Sequence, residues 1–399
     1  MNMFTFSKNP VKKVGLVLDI GSKTVGGALF EKDAADNVKL LYTARESIAF
    51  QKILTGENLL QAMLRSLGLV LIHLEKYGLE HLNHDSKLNR QVDTIEAIVS
   101  SPWHISETKT LKLWQDKPFL VTEALVGELL AKEEADFIKG LSGKARREPN
   151  LDVLEHKIVE MQLNGYPTAA PYGKKARQLE LRIFTSVAQK QIPEKIRALI
   201  LRHFPVEHPE FHTFSLTAFA SIRDFFPNIE HFLVVQVGGE VTDITIVKKN
   251  ILTETVSFPL GHNTLLRALE KICDNHPQCT LEALLALHRE AKATAADKNK
   301  VERAIEDTKI SWLGLFNNAI SNFSSETFLP QTVFLFEDSP YSALFEEFLK
   351  LAESSQFTIT AKPFTVKTVN EFGAVFTKFG QPLSADVLLA MEANFASRF

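Results

Sequence analysis

Val14-Gly15-Leu16-Val17-Leu18-Asp19-Ile20-Gly21-Ser22-Lys23-Thr24-Val25 reads as a hydrophobic strand that enters a glycine turn and leaves it as a second strand. The pattern returns in Phe232-Leu233-Val234-Val235-Gln236-Val237-Gly238-Gly239-Glu240-Val241-Thr242-Asp243-Ile244. A third strand follows each copy, Val38 to Ala44 after the first and Ile251 to Phe258 after the second. Apolar runs bounded by glycine are hairpin signals. Two such hairpins facing each other across a cleft would hold an anion, because the N–H groups of a tight turn form an anion-binding concavity. The duplication predicts an α/β fold of two lobes, each built on one copy.

Working outward, 399 residues are too many for a single core, and several subdomains are expected. A composition of 45% hydrophobic and 23% charged residues is that of an ordinary globular protein. The net charge of −3 leaves no footprint for nucleic acid, which excludes that class of partner. Met1 to Lys13 has no continuous apolar stretch and reads as a short tail, not a signal peptide. The longest apolar runs, such as Leu67 to Leu74, are far shorter than a membrane span, so a cytoplasmic protein is expected. Two cysteines cannot build a disulfide framework, and Cys273, His276 and Cys279 match no zinc spacing; they read as a loop with free thiols.

The chain divides into 1–91, 92–203, 204–330 and 331–399. The first of these segments carries a helix from Gly56 to Leu79, with Leu60, Leu64, Leu67 and Leu71 at helical spacing. The second is a small α+β module: strand Thr94 to Ser100, alternating Thr108 to Leu113, helix Thr122 to Ile138, polar linker Ser142 to Pro149, strands Lys157 to Asn164 and Gln178 to Thr185, and helix Pro193 to Phe204. The third holds the second strand unit and a helical stretch from Thr280 to Ser324. The last carries strands at Val333 to Phe336 and Phe364 to Val369, and a C-terminal helix, Ala385 to Phe399, with Leu388, Met391, Phe395 and Phe399 on one face. Trp103 and Trp114 read as core.

In the first turn, amides beside the Ser22 hydroxyl suit a phosphate, and Lys23 adds a point charge. Asp19 would sit too close to that anion unless it held a hydrated Mg²⁺.

Residues 14–30 and 232–247 resemble the two phosphate motifs of the actin-like ATPase superfamily, and Thr213 to Ser221 sits where that superfamily has a connecting helix. The chain is most similar to the FtsA family of division proteins. There a small SHS2-type module follows the first strand unit, as 92–203 does here, and Leu163-Asn164-Gly165-Tyr166-Pro167 resembles its hairpin. Phe258-Pro259-Leu260-Gly261 resembles the family's strand-Pro-x-Gly-Gly turn, and Ala304 to Ile310 its nucleoside-contacting helix. The pilus-assembly protein PilM shares this architecture.

The resemblance implies a two-lobed actin-like, ribonuclease H-like fold with an inserted module, binding ATP and Mg²⁺. Its nucleotide-binding residues would be Asp19, Gly21, Ser22, Lys23, Gly238, Gly239, Thr242, Gly261, Glu306 and Lys309, with Asp19 holding the metal through water. It further implies a scaffold that joins a tubulin-like division protein to the membrane, with self-association and a peripheral membrane contact. A PilM-like grip on a peptide from a pilus membrane protein is the alternative, and an active ATPase is another.

Departures from the pattern point to weakened hydrolysis. Gln236 stands where the second motif has an aspartate, and Glu240, expected to approach the phosphates, where it has a glycine. Phe336-Glu337-Asp338-Ser339 aligns with the adenosine-binding Gly-Gly turn. Charge balance drives phosphoryl transfer, so each added carboxylate opposes it. Glu306 and Lys309 also fit a plain surface ion pair one helical turn apart. The C-terminal helix is poor in Lys and Arg for a membrane-surface helix, which favours docking on its own domain.

Overall fold

Every residue of β1 (Val14–Ile20) is buried, and all but Asp19 are apolar or glycine, as a strand covered on both faces requires. It forms the centre of a five-stranded sheet, antiparallel to β2 (Thr24–Lys32) and parallel to β4 (Thr94–Val99). With β3 (Val38–Ser47) and β9 (Glu210–Thr213) at the edges, the order is β3-β2-β1-β4-β9. A second sheet repeats this arrangement. Its centre, β10 (Phe232–Val237), is antiparallel to β11 (Thr242–Lys248) and parallel to β13 (Thr332–Phe336). The flanks are β12 (Ile251–Phe258) and β14 (Thr365–Thr368). Register repeats as well, with Asp19 opposite Gly26 and Gln236 opposite Asp243.

The computed structural model describes residues 13–32, 38–82, 91–142, 150–206, 208–273, 295–323, 328–337, 342–352, 357–358, 361–369, 371 and 386–399. Met1 to Lys12, Asp33 to Asn37, His276, Cys279, Asp338, Ser339 and the stretches 143–149 and 280–294 lie outside them.

A third sheet is inserted between β4 and β9. It joins β5 (Ile105–Leu120), β8 (Lys175–Gln189), β6 (Leu151–Leu163) and β7 (Tyr166–Pro167) in the order β5-β8-β6-β7. The alternating stretch Thr108 to Leu113 is thus the middle of a much longer strand. Helix α3 (Glu123–Ser142) lays Leu125, Val126, Leu129 and Leu130 on the apolar face made by Met161, Leu179, Leu181 and Ile183. Trp103 is core, but Trp114 is not: it is 64% exposed. β5 is an edge strand of this sheet, and the alternation that buries Leu111 and Leu113 against α3 turns Trp114 to the other face.

Thr55 caps α1 (Gly56–His73), accepting the Asn58 amide at 3.2 Å. The helix then widens into a π turn over Leu74–Gly78 and ends in α2 (Leu79–Leu82), so the predicted single helix has three sections. Beside α1 lies α4 (Gln191–His203), and both pack on the first sheet. The chain passes to the second sheet through α5 (Phe214–Phe225). That sheet is covered by α7 (Ala295–Phe323) and α8 (Ser342–Leu351), with Trp312 stacked on Phe316 at 4.9 Å. Helix α6 (His262–Cys273) follows β12 and packs on α7.

The two sheets share one core. Val17 and Phe30 of the first, Phe232 and Phe334 of the second, and the apolar faces of α5 and α9 (Val387–Ala396) form a single buried cluster. Helix α9 is apolar nearly all round and buried, packed against α5, β1 and β3. Asp386 caps it, accepting the Leu389 amide at 3.0 Å, and Arg398 reaches Asp224 of α5 at 2.6 Å. The C-terminal helix is docked on its own domain. Among the described residues no helix is long and apolar enough to cross a membrane.

Candidate functional site: two glycine turns in contact

The turns after β1 and β10 touch. Oγ of Ser22 accepts the amides of Gly239 at 2.9 Å and Glu240 at 3.2 Å. The anion-binding amides expected in the second turn are therefore present, and their acceptor is the hydroxyl of the first. A Cβ at Gly239 would lie 2.4 Å from the Ser22 carbonyl oxygen, so only glycine permits this approach. The first amides of α6, orphans in any helix, donate inward: His262 to the Gly238 carbonyl at 2.9 Å and Asn263 to that of Gly239 at 2.8 Å. Gly261 precedes them. Thr242 donates its hydroxyl to the Leu260 carbonyl at 2.7 Å and accepts Nε1 of Trp312 at 3.1 Å.

The charges around the turns are paired within the chain. Asp19, 4% exposed, is met by Nη1 of Arg45 at 2.6 Å. The same guanidinium holds Thr24 Oγ1 at 2.9 Å and both carboxylate oxygens of Asp386, at 2.7 and 3.3 Å. It lies across the backbone of β2 because Gly26 has no side chain; a Cβ there would be 2.8 Å from the guanidinium carbon. Nζ of Lys23 bonds Glu337 at 3.0 Å, and Glu337 also lies 3.3 Å from Nδ1 of His262. The Glu240 carboxylate does not approach the gap. Arg267 takes it at 2.5 and 3.1 Å and Asn263 at 2.8 Å, drawing it to α6. Gln236 donates to Ser100 Oγ at 2.8 Å.

What remains between the turns is a cavity of about 40 Å³, lined by Asp19, Gly21, Ser22, Lys23, Thr24, Ser100, Gln236, Val237, Gly238, Phe336, Glu337, Val369 and Leu388. A water molecule takes roughly 30 Å³ of liquid, whereas small-molecule sites run to roughly 300–1,000 Å³. A magnesium-bound nucleoside triphosphate does not fit this arrangement. Glu306 and Lys309 pair with each other on α7 and do not line the cavity.

No family model and no curated protein matches the sequence. Among solved structures the chain is similar to that of a PilM-PilN type IV pilus biogenesis complex, with a TM-score of 0.60 and 12% identity over 96% of this chain and 98% of that one. The fold is the actin-like ATPase fold. A Bacteroides thetaiotaomicron protein with this fold and unknown function gives a TM-score of 0.40 at 12% identity, over 96% of this chain and 100% of that one. A glucokinase from Balamuthia mandrillaris in complex with glucose gives 0.41 at 10% identity, over 98% and 96%.

A second, larger space lies on this actin-like frame. About 600 Å³ opens between the inserted sheet and the first sheet's helices. It is lined by Gly56, Glu57, Leu59 and Leu60 of α1, Pro102, Trp103, His104 and Ile105, Leu141 of α3, Leu151 of β6, Val187 to Gln189 of β8, and Gln191 and Ile192 of α4. One wall is anchored on both glycine turns. Nε1 of Trp103 bonds the Gly21 carbonyl at 2.7 Å, Ser101 Oγ bonds Asp243 at 2.7 Å, and Ser100 holds Gln236. His104 is buried, and burial pulls its pKa down against the charges of Asp243 and Glu155.

A buried ionic cluster lies behind the pocket's lining, with Glu155 near enough to act on the charge of His104 and Ser186 next to the lining residue Val187. His212 lies 3.1 Å from Glu96 of β4 and 3.1 Å from Glu155 of β6. Glu155 also accepts the Thr213 amide at 2.9 Å, its hydroxyl at 2.7 Å and Ser186 Oγ at 3.3 Å. Burial opposes charge on His212, but the hydrogen bonds and charges of Glu155 and Glu96 outweigh it, and its pKa is pushed up to about 9. Sequence reasoning missed Arg45, Glu155, His104 and His212. Arg45 alone had a visible signal, a cationic residue on the strand paired with the Gly26-Gly27 step.

Proposed function

We propose that the chain is a scaffold on an actin-like frame that grips an apolar peptide segment of a partner protein, in the manner of a PilM-type pilus-assembly component, and does not hydrolyse ATP. One observation carries this reading. A largely apolar pocket of about 600 Å³ beside the inserted sheet has room for a ligand, whereas the space between the phosphate-type turns is about 40 Å³. An extended segment of a few apolar side chains matches the size and chemistry of the first. The fold shared with PilM is consistent with it, and the partner would be a PilN-like protein. Such a protein would work in the cytoplasm at the inner face of the membrane. The division-scaffold reading, with its tubulin-like partner, self-association and membrane contact, uses the same frame.

Fluorescence anisotropy with two labelled peptides separates them, one from a PilN-like protein and one from the tail of a tubulin-like division protein. The pilus peptide is expected to bind, and Ile105→Glu, at a pocket residue 53% exposed, to weaken it by at least about tenfold. Binding of the division tail alone, or pilus-peptide binding untouched by Ile105→Glu, would overturn the proposal.

A further inference from the structure

We infer that this chain closes its own nucleotide cleft: Ser22, Arg45 and Glu337 take the places of phosphate oxygen, metal cation and anionic charge, and Ser22 and Glu337 hold the two sheets together with no nucleotide between them. The inference goes beyond the peptide-gripping role and does not depend on it.

Three replacements carry it, each from different side chains. The amides that would face a phosphate, Gly239 and Glu240, already donate to Ser22 Oγ. To enter, a phosphate would have to break both bonds and separate the backbones already in contact at Gly239. The carboxylate that would hold a hydrated Mg²⁺, Asp19, faces a fixed cation instead, and Arg45 is itself clamped between Asp19, Thr24 and Asp386. An incoming divalent ion would meet that guanidinium at short range, and like charges repel strongly where water is excluded. The ammonium that would meet a phosphate, Lys23, is neutralised by Glu337, which is 3% exposed. A triphosphate would displace that carboxylate or lie against it.

The same contacts bridge the sheets. Ser22 and Lys23 belong to the turn of the first sheet; Gly239, Glu240 and Glu337 belong to the second. In a nucleotide-dependent relative of this fold a bound ligand would have to supply that bridge. Here hydrogen bonds and an ion pair encoded in the chain supply it, so the closed form is the resting form.

Thermal unfolding and calorimetry on the full chain test this with about 1 mM ATP or ADP and excess Mg²⁺. The expected result is no binding heat and an unchanged Tm. A saturable, Mg²⁺-dependent rise of several degrees, abolished by Asp19→Asn, would overturn the inference. The internal bridge is tested by Ser22→Ala and Lys23→Met, read by hydrogen exchange at the Gly239 and Glu240 amides with circular dichroism as the folding control. Both variants should exchange these amides at least about tenfold faster than wild type, because opening the turns frees them. If Lys23→Met does not fold, Ser22→Ala, which removes a single oxygen, still decides. Unchanged exchange in a folded Ser22→Ala would sink the bridge.

Discussion

The gap between the glycine turns and the pocket beside the inserted sheet share the segment Ser100 to Ile105, yet one is shut and the other open. Their linings explain the difference. The gap is walled by amides, carboxylates and an ammonium, and buried polar groups left unpaired cost free energy comparable to a lost hydrogen bond each. A cleft of that kind, without a ligand of its own, is stabilised when side chains of the chain complete its pairs. Arg45, Ser22 and Glu337 complete the charged ones and the turn amides, and the buried Oε1 of Gln236 is left without a partner among the described residues. The pocket is walled mainly by leucine, isoleucine, valine and tryptophan. Its one deeply buried polar lining residue, His104, has neither ring nitrogen hydrogen-bonded among the described residues and is held toward the neutral form by burial. Such a surface can remain open and gain by covering its area with a partner.

The strongest way to break this contrast is to disrupt the cluster behind the pocket's lining. Glu155→Ala removes one of the two carboxylate partners of a cationic His212 and leaves the Thr213 amide, the Thr213 hydroxyl and Ser186 without their acceptor. Removing one member of a buried ion pair typically costs about 3–5 kcal/mol. Urea unfolding should show a loss of that order, together with weaker binding of the pilus peptide. A loss below about 1 kcal/mol would mean that the cluster does not hold the inserted sheet in place.

The same cluster is sensitive to pH. His212 has a folded pKa raised to about 9 against roughly 6.5 in an unfolded chain. A raised pKa contributes stability that is fully present below about pH 6.5 and is lost as pH rises through about 9, on the order of 3 kcal/mol. Urea midpoints between about pH 6 and pH 10 should fall along that course, and His212→Gln should flatten the fall. An unchanged slope in the variant would assign the pH dependence to other groups.

The sequence carried the frame but not these locks, for a physical reason. Val14 to Val25 and Phe232 to Ile244 are local patterns, and strand, turn and register all follow from them. The inserted sheet was readable as short strands, though β5 proved far longer than its alternating centre. Asp19, Ser22, Lys23, Gly238 and Gly239 were legible as a converging set, and the structure brings them together. What each bonds was not legible. Arg45, Asp386 and Glu337 reach the turns from residues far apart in sequence, and Glu96, Glu155 and His212 meet from three strands. Glu240 shows the limit most clearly: its position in the motif pointed it at phosphate, and Arg267 turned it away.

One substitution made at each of two glycines sharpens the comparison at low amplitude. Gly239 and Gly56 stand at the shut gap and the open pocket respectively. An alanine Cβ at 239 would lie 2.4 Å from the Ser22 oxygen and 2.7 Å from its carbonyl carbon, both backbone atoms that yield only if the turns separate. Gly239→Ala should therefore destabilise the chain by about 1–3 kcal/mol, the usual scale for overpacking. At Gly56, the first residue of α1, a Cβ meets nothing within 4 Å. Gly56→Ala lowers the entropy of the unfolded chain and should raise stability by about 0.4–1 kcal/mol. Opposite signs in paired urea melts are the expected result. If Gly239→Ala is as well tolerated as Gly56→Ala, the turns have slack between them, and the gap is not held shut by contact.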